Sequence, residues 1–107
     1  TPKPPQPSSG MRIVETQRGI ASIYHDKRTA SGERFNPQGF TAAHRTWPMG
    51  TLVRCTHLDT GRWVVVRIND RGPYIRGRII DLSPAAAESI GLTRSHGLCK
   101  IRLDRFK

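Results

Sequence analysis

Short segments of β-type sequence, each ended by a glycine, a proline or a turn, determine the fold class of this chain. Residues 51–58 alternate between apolar and polar side chains, and residues 62–68 are mostly β-branched or apolar. These are the patterns of half-buried and buried strands. The segment between them, Asp59-Thr60-Gly61, favours a turn, so the two strands predict a hairpin. Further short strands are predicted at residues 19–24, 78–82 and 98–103.

One segment has the sequence of a helix. Ser83 can cap it, Pro84 suits its first turn, residues 85–90 propagate it and Gly91 ends it. Residues 26–50 are broken by glycine and proline and predict a long irregular region with short strands. Several strands and one helix in about 90 residues predict a small closed or partly open β-barrel.

The chain begins with a stretch that has too few apolar groups to fold. Residues 1–10 are mostly proline, serine, lysine and glutamine, a composition typical of linkers. We therefore predict a flexible Pro-rich linker over residues 1–17 and one folded domain over residues 18–107. No apolar run approaches the roughly 18 residues that a transmembrane helix needs. The linker would fit a chain from which a secretion leader has been removed.

The charge of the chain favours an anionic partner. Lysine and arginine number 18, and aspartate and glutamate number 8. Nucleic acid, an anionic membrane surface and an acidic cell-wall polymer would all attract such a protein. The basic residues are scattered and do not alternate with aromatic residues as they would on a base-stacking surface. We therefore predict that the chain does not bind nucleic acid.

The cysteines and histidines do not predict a metal site. Cys55 and Cys99 are too far apart for a CxxC motif. They could form a disulfide that closes a loop of roughly 45 residues, or remain two buried thiols. We predict the disulfide, because the linker indicates an oxidising compartment. No metal-binding spacing relates the histidines, which are His25, His44, His57 and His96.

Three carboxylates and one histidine are candidates for chemistry. Asp70 directly follows a buried strand, where it could line a groove or simply stabilise a turn. Glu33 could act as a second acid or be a solvated loop residue. His44 could be a ligand, a proton shuttle, a positioning group or a structural residue. Asp81 is expected to be structural, paired with an arginine or capping the helix that follows.

Four motifs in sequence order resemble a known family. They are TASGE at 29–33, TAAHRTWPMGT at 41–51, VVVRINDRGPY at 64–74 and GRIIDLSPAAA at 77–87. Together they look like the rare lipoprotein A family, which is related in fold to barwin and expansin domains. The resemblance covers about residues 19–103. Residues 21–28 are shorter than is usual there, and Ile23 stands where a second aromatic residue is common.

The resemblance implies a mainly β fold, a small six-stranded double-psi β-barrel with one short helix. It implies a peptidoglycan lytic transglycosylase, a lyase that prefers glycan strands stripped of stem peptides and leaves 1,6-anhydromuramoyl ends. The enzyme that the resemblance implies needs no cofactor. The alternative is a non-catalytic, expansin-like domain that binds cell-wall polysaccharide. By motif, the catalytic residues are Asp70, Glu33 and His44. To substrate binding we assign Tyr24, Thr41, Arg71 and Tyr74.

The same resemblance places the protein in the periplasm or cell envelope as a monomer, with a possible lipid anchor upstream of Thr1. In the implied mechanism, Asp70 is the general acid and then the general base. Arg67 and Arg71 flank Asp70, and a nearby cation would disfavour a protonated acid. We expect Arg67 to point to the opposite face of the strand, because it lies three residues from Asp70.

Overall fold

The computed structural model describes residues 3–24, 36–93, 95 and 97–107. These residues form six strands and one short helix. In chain order the elements are β1 (Ile13–Ile23), β2 (Thr41–His44), β3 (Leu52–His57), β4 (Trp63–Asp70), β5 (Arg78–Leu82), α1 (Pro84–Ser89) and β6 (Leu98–Phe106).

The six strands close into one barrel in the order β1-β5-β2-β4-β3-β6. β1 runs parallel to β5, and β2 runs parallel to β4. The other neighbours are antiparallel, including the predicted β3–β4 hairpin. The prediction of a six-stranded double-psi β-barrel with one short helix is therefore confirmed.

The first strand begins earlier than the sequence indicates. β1 starts at Ile13, and its first residues pair with the end of β6 up to Phe106. Residues 13–17, which the sequence analysis assigns to the linker, therefore belong to the barrel. Their side chains are mostly exposed, so they show no apolar alternation. The backbone hydrogen bonds to β6 define this part of the strand.

The barrel interior is filled by alternate residues of the strands, whose side chains are fully or almost fully buried. On β5, Ile80 and Leu82 face the core, and on β2 Ala42 does. Because side chains alternate across a strand, Asp81 and Ala43 face the outside of the barrel. This outer face of β1, β5 and β2 carries the candidate site.

The helix forms as its sequence predicts. The Ser83 hydroxyl accepts a hydrogen bond from the Ala86 N–H at 3.3 Å, and Pro84 occupies the first turn. Ala86 and Ala87 are buried in the barrel core. Gly91 follows at a φ of +86° and lets the chain turn away. Among the described residues, no helix has the length and apolar character required to span a bilayer.

The two cysteines are not joined by the predicted disulfide in the structure. Cys55 on β3 lies opposite Leu103 on β6, and Cys99 is four residues away along β6. Four residues of strand span roughly 13 Å, whereas bridged cysteines need Cα atoms within about 7 Å. The structure instead holds both as buried free thiols, which is the other alternative of the sequence analysis. Burial, the largest cause, raises the pKa of the Cys99 thiol to about 11.

Candidate active site

A β-bulge brings Asp70 to the outer face of the barrel. Between β2 and β4, Ala42 pairs with Ile68 and Ala43 pairs with Asp70, so Asn69 is an extra residue. The sequence analysis ends this strand at Ile68, but β4 continues to Asp70. A bulge accommodates an extra residue without ending the ladder. Asp70 therefore lies beside Ala43 and is only 7% exposed. Because Arg67 pairs with Thr41, two residues before Ala43, the extra residue puts Arg67 and Asp70 on the same face, and the expectation of opposite faces is wrong.

Both carboxylate oxygens of Asp70 have hydrogen-bond donors. The Tyr24 hydroxyl donates to Oδ2, and the Arg71 backbone N–H donates to Oδ1 at 2.8 Å. Tyr24 follows β1 directly, and its own N–H donates to the Leu82 carbonyl at 2.7 Å. The end of β1 therefore fixes the ring, and the ring fixes the carboxylate. A buried carboxylate with two donors has a defined orientation.

A second hydrogen-bonded carboxylate lies on the same face. Ser22 on β1 is opposite Asp81 on β5, and its hydroxyl donates to Asp81 Oδ1. Asp81 in turn lies opposite Ala43, the neighbour of Asp70. The expectation that Asp81 might cap the helix is wrong, because Ser83 provides the cap.

His44 ends β2 with both ring nitrogens occupied. Nδ1 accepts hydrogen bonds from the backbone N–H groups of Thr46 at 3.1 Å and Trp47 at 3.0 Å. Because Nδ1 accepts, the proton lies on Nε2. Nε2 donates to Gln17 Oε1 at 2.9 Å. The Trp47 ring stacks on the imidazole, with 4.1 Å between centroids and 5° between planes.

The surroundings keep His44 neutral. Its pKa is lowered from 6.5 to about 4, first by burial and then by the positive charge of Arg71, while Glu15 acts in the opposite direction. At neutral pH the ring has no proton to give beyond the one it donates to Gln17. Among the roles that the sequence leaves open, this geometry supports a positioning group and argues against a proton shuttle.

Two arginines cross-link the loops that follow β2 and β4. Arg71 donates from Nη1 to the His44 carbonyl at 3.0 Å and to the Trp47 carbonyl at 2.7 Å. In the opposite direction, Arg45 donates from Nε to the Pro73 carbonyl at 2.5 Å and from Nη2 to the Ile75 carbonyl at 2.9 Å. We call Arg45 and Arg71 the arginine clasp. The clasp holds the loop after Asp70 against the loop after His44.

The remaining predicted residues differ in their surroundings. Thr41 begins β2, half-buried, two residues before Ala43 and on the same face. Tyr74 is 76% exposed and presents its ring to solvent. Arg71, predicted to bind substrate, directs its guanidinium to protein carbonyls. Glu33 lies outside the described residues, so its distance from Asp70 and His44 stays a prediction.

The residues that surround His44 were not predicted from the sequence. Glu15 accepts from Trp47 Nε1 at 3.2 Å and forms an ion pair with Arg105 at 3.3 Å. Trp47 follows His44 closely in the 41–51 motif, so the sequence could have indicated that it belongs to the surroundings of His44. Glu15 and Gln17 gave no such indication, because they sit in a strand without apolar alternation. Among the described residues, no group of three or more histidine, cysteine or acidic side chains could hold a metal ion.

Most of the barrel matches a sequence family. Residues 16–103 match the family described as lytic transglycolase. The probable endolytic peptidoglycan transglycosylase RlpA of Synechocystis is 57% identical over 96 residues, which cover 86% of this chain and 30% of that protein. The endolytic peptidoglycan transglycosylase RlpA of Campylobacter jejuni is 48% identical over 96 residues, with 86% and 34% covered. The chain thus spans about a third of the length of these curated relatives.

Solved structures agree with the barrel fold. The Streptomyces papain inhibitor superposes with a TM-score of 0.70 at 24% identity, covering 87% of this chain and 96% of that one. A Clavibacter michiganensis expansin superposes with a TM-score of 0.63 at 19% identity, covering 87% and 51%. At these identities the likeness extends to the fold alone. The sequence match over residues 16–103 is what assigns the family: this chain belongs to the lytic transglycolase family.

Proposed function

We propose that this domain is a lytic transglycosylase that cleaves the glycan strands of peptidoglycan. One observation carries the proposal. Asp70 is a nearly buried carboxylate on the outer face of the barrel, and the Tyr24 hydroxyl and the Arg71 N–H orient its two oxygens. The similarity to proteins named as peptidoglycan transglycosylases supports the substrate class.

In the proposed reaction Asp70 acts twice. In its protonated form it transfers a proton to the glycosidic oxygen, and the bond from that oxygen to the muramoyl C1 breaks. The resulting carboxylate then takes the proton of the muramoyl C6 hydroxyl while O6 bonds to C1. The product has a 1,6-anhydro ring, no water is consumed, and Asp70 regains its proton. One positioned carboxyl can serve both steps.

The neighbouring residues take supporting roles in this proposal. Tyr24 orients Asp70, and the arginine clasp fixes the loops on either side of it. Glu33 is the proposed second acid, which would stabilise positive charge at C1. His44 builds the wall of the site as a neutral ring. Thr41 and the exposed ring of Tyr74 are proposed to contact sugar.

The substrate preference and the location follow from the same proposal. Strands stripped of stem peptides expose a lactyl carboxyl on each muramoyl unit, and a chain with a formal charge of +10 would attract them. We propose action in the cell envelope, where this polymer is found. Because exposed charges are screened within about 10 Å at 0.1 M salt, binding is expected to weaken as salt increases.

Digestion of purified glycan strands tests the proposal. The expected products, read by mass spectrometry, are fragments with anhydromuramoyl ends. Asp70→Asn should reduce their release at least 100-fold, in the range of general acid–base catalysis. Asp59→Asn is the matched control, because Asp59 is exposed in the β3–β4 turn, and it should leave the rate unchanged.

Three results would overturn the proposal. Full activity of Asp70→Asn would remove Asp70 from the chemistry. Fragments with reducing muramoyl ends would show hydrolysis. Binding to the strands without any soluble product would favour the expansin-like alternative.

A further inference from the structure

A cavity beside His44 has no role in the proposed chemistry. Its volume is about 310 Å³, in the range of small-ligand pockets. It is lined by Gln17, Arg18, His44, Arg45, Thr46 and Ile79.

Shared residues place this cavity beside the candidate site. His44, which lines the cavity, directly follows Ala43, the β2 residue opposite Asp70. Arg71, whose N–H donates to Asp70 Oδ1, also donates from its guanidinium to the His44 carbonyl. A glycan strand bound at Asp70 can therefore place a neighbouring sugar in the cavity.

The lining of the cavity is cationic. Two arginines line it, no carboxylate does within the part of the chain that the structure describes, and the His44 ring is neutral at pH 7 because its pKa is lowered to about 4. The guanidinium of Arg45 is engaged with the carbonyls of Pro73 and Ile75. Arg18 is thus the cation left to meet a ligand.

Arg18 has no compensating anion among the residues that the structure describes. It is exposed on β1 and lies opposite Arg102 on β6. Arg102 is already paired with Asp104 at 3.3 Å. Like charges opposite each other destabilise a sheet, so this arrangement is unfavourable in the free protein. A bound anion would relieve it.

We propose that this cavity is a subsite for a muramoyl unit with a free lactyl carboxylate, and that Arg18 binds that carboxylate. This inference rests on the proposed function. In strands with stem peptides the lactyl carboxyl is an amide and carries no charge. Arg18 therefore gives the preference for stripped strands a physical cause, a charge-assisted hydrogen bond that only the free acid can make.

The test uses a tetrasaccharide of alternating N-acetylglucosamine and N-acetylmuramic acid, as the free acid and as the primary amide. Binding is measured by calorimetry to the full chain carrying Asp70→Asn, which prevents turnover. We expect the acid to bind about tenfold more tightly than the amide. Adding Arg18→Gln should abolish the difference, and Arg18→Lys should retain most of it. Arg62→Gln is the matched control and should behave like the parent, because Arg62 is exposed at the other end of β4 from Asp70.

Cleavage of the acid and amide forms by the unmodified chain separates this inference from the proposed function. Equal binding of the two ligands, or acid selectivity that persists in Arg18→Gln, would overturn the subsite. Equal cleavage rates on acid and amide strands would overturn it too, while leaving the transglycosylase intact. Arg18-dependent selectivity in a chain that cleaves neither form would uphold the subsite and overturn the proposed function alone.

Discussion

Two turns of this barrel begin with the same hydrogen-bonding arrangement, in which a histidine ring caps the turn. They differ in the tertiary contacts around that histidine. The His44 turn (residues 44–51) starts with a ring whose Nδ1 accepts the N–H groups two and three residues ahead. The His57 turn (residues 57–62) repeats this arrangement with Asp59 at 3.1 Å and Thr60 at 3.3 Å. Each turn also contains a glycine with positive φ, at positions 50 and 61.

The tertiary contacts distinguish the two turns. The His44 turn receives the stacked Trp47 ring, the Gln17 contact and both halves of the arginine clasp. The Arg105 guanidinium lies 5.9 Å from the centre of the Trp47 ring. The His57 turn is joined to the end of the helix by a hydrogen bond from the Thr60 hydroxyl to the Ile90 carbonyl at 3.1 Å. A histidine at the head of a turn is thus a structural cap in both places, and the surroundings of His44 add the rigid wall that a site needs.

Replacing each histidine by alanine should give the largest contrast. His44→Ala removes a buried ring and leaves the buried Trp47 N–H without its acceptor, for a loss of about 3 kcal/mol in the free energy of unfolding. His57→Ala also removes a buried ring, but it should cost less, about 2 kcal/mol, because water can reach the N–H groups of the exposed residues Asp59 and Thr60. Urea unfolding measures both values. Glycan cleavage should fall at least tenfold in the first variant and stay unchanged in the second. Equal losses of stability would contradict the difference in tertiary support.

Breaking the clasp should have the next largest effect. Arg71→Met keeps the length of the side chain but leaves the carbonyls of His44 and Trp47 without their donor, which should cost about 2 kcal/mol of stability. Arg71→Lys retains the charge without the planar guanidinium and should recover part of this loss. Because the clasp positions Asp70 through its loop, kcat should fall more than KM rises. A pure rise in KM would instead make Arg71 a direct sugar ligand, as the sequence analysis predicts.

The titration of His44 predicts a pH effect of intermediate size. Its pKa is about 4 in the folded chain, against 6.5 for a free histidine. Between these values the unfolded chain binds a proton that the folded chain does not, so stability falls as the pH drops from 6.5 towards 4. The expected loss is about 2 kcal/mol, read by urea unfolding at pH 7 and pH 4.5. His44→Asn, whose side-chain oxygen can still accept the turn N–H groups, should lack this component. Identical pH dependence in both proteins would contradict a buried neutral ring.

Part of this structure can be predicted from local sequence patterns, and part depends on tertiary contacts. The hairpin, β5 and the capped helix follow from local alternation and turn chemistry, and the motifs around Asp70 indicate the family. The bulge at Asn69, the start of β1 at Ile13 and the clasp depend on pairing between distant strands. No local pattern encodes such pairing, because it joins residues far apart in the chain, and because Asn69 is polar but buried while Ile13 is apolar but exposed. The state of the two cysteines is equally hidden in the sequence, because their relative position depends on the β3–β6 register.

Replacing either of the two turn glycines by alanine should have the smallest effect on stability. The pair of variants also serves as a control for the backbone of the two turns. Gly50 has a φ of +88° and Gly61 of +75°, and an added Cβ would meet no atom within 4 Å at either position. The cost therefore comes from the backbone conformation alone, about 1 kcal/mol at each site. Urea unfolding should show equal losses, and glycan cleavage should be unchanged in both variants. Equal losses would mean that the two turns share one backbone design and that the wall around Asp70 is made by side chains. If Gly50→Ala lost activity at unchanged stability, the backbone path after His44 would itself belong to the site.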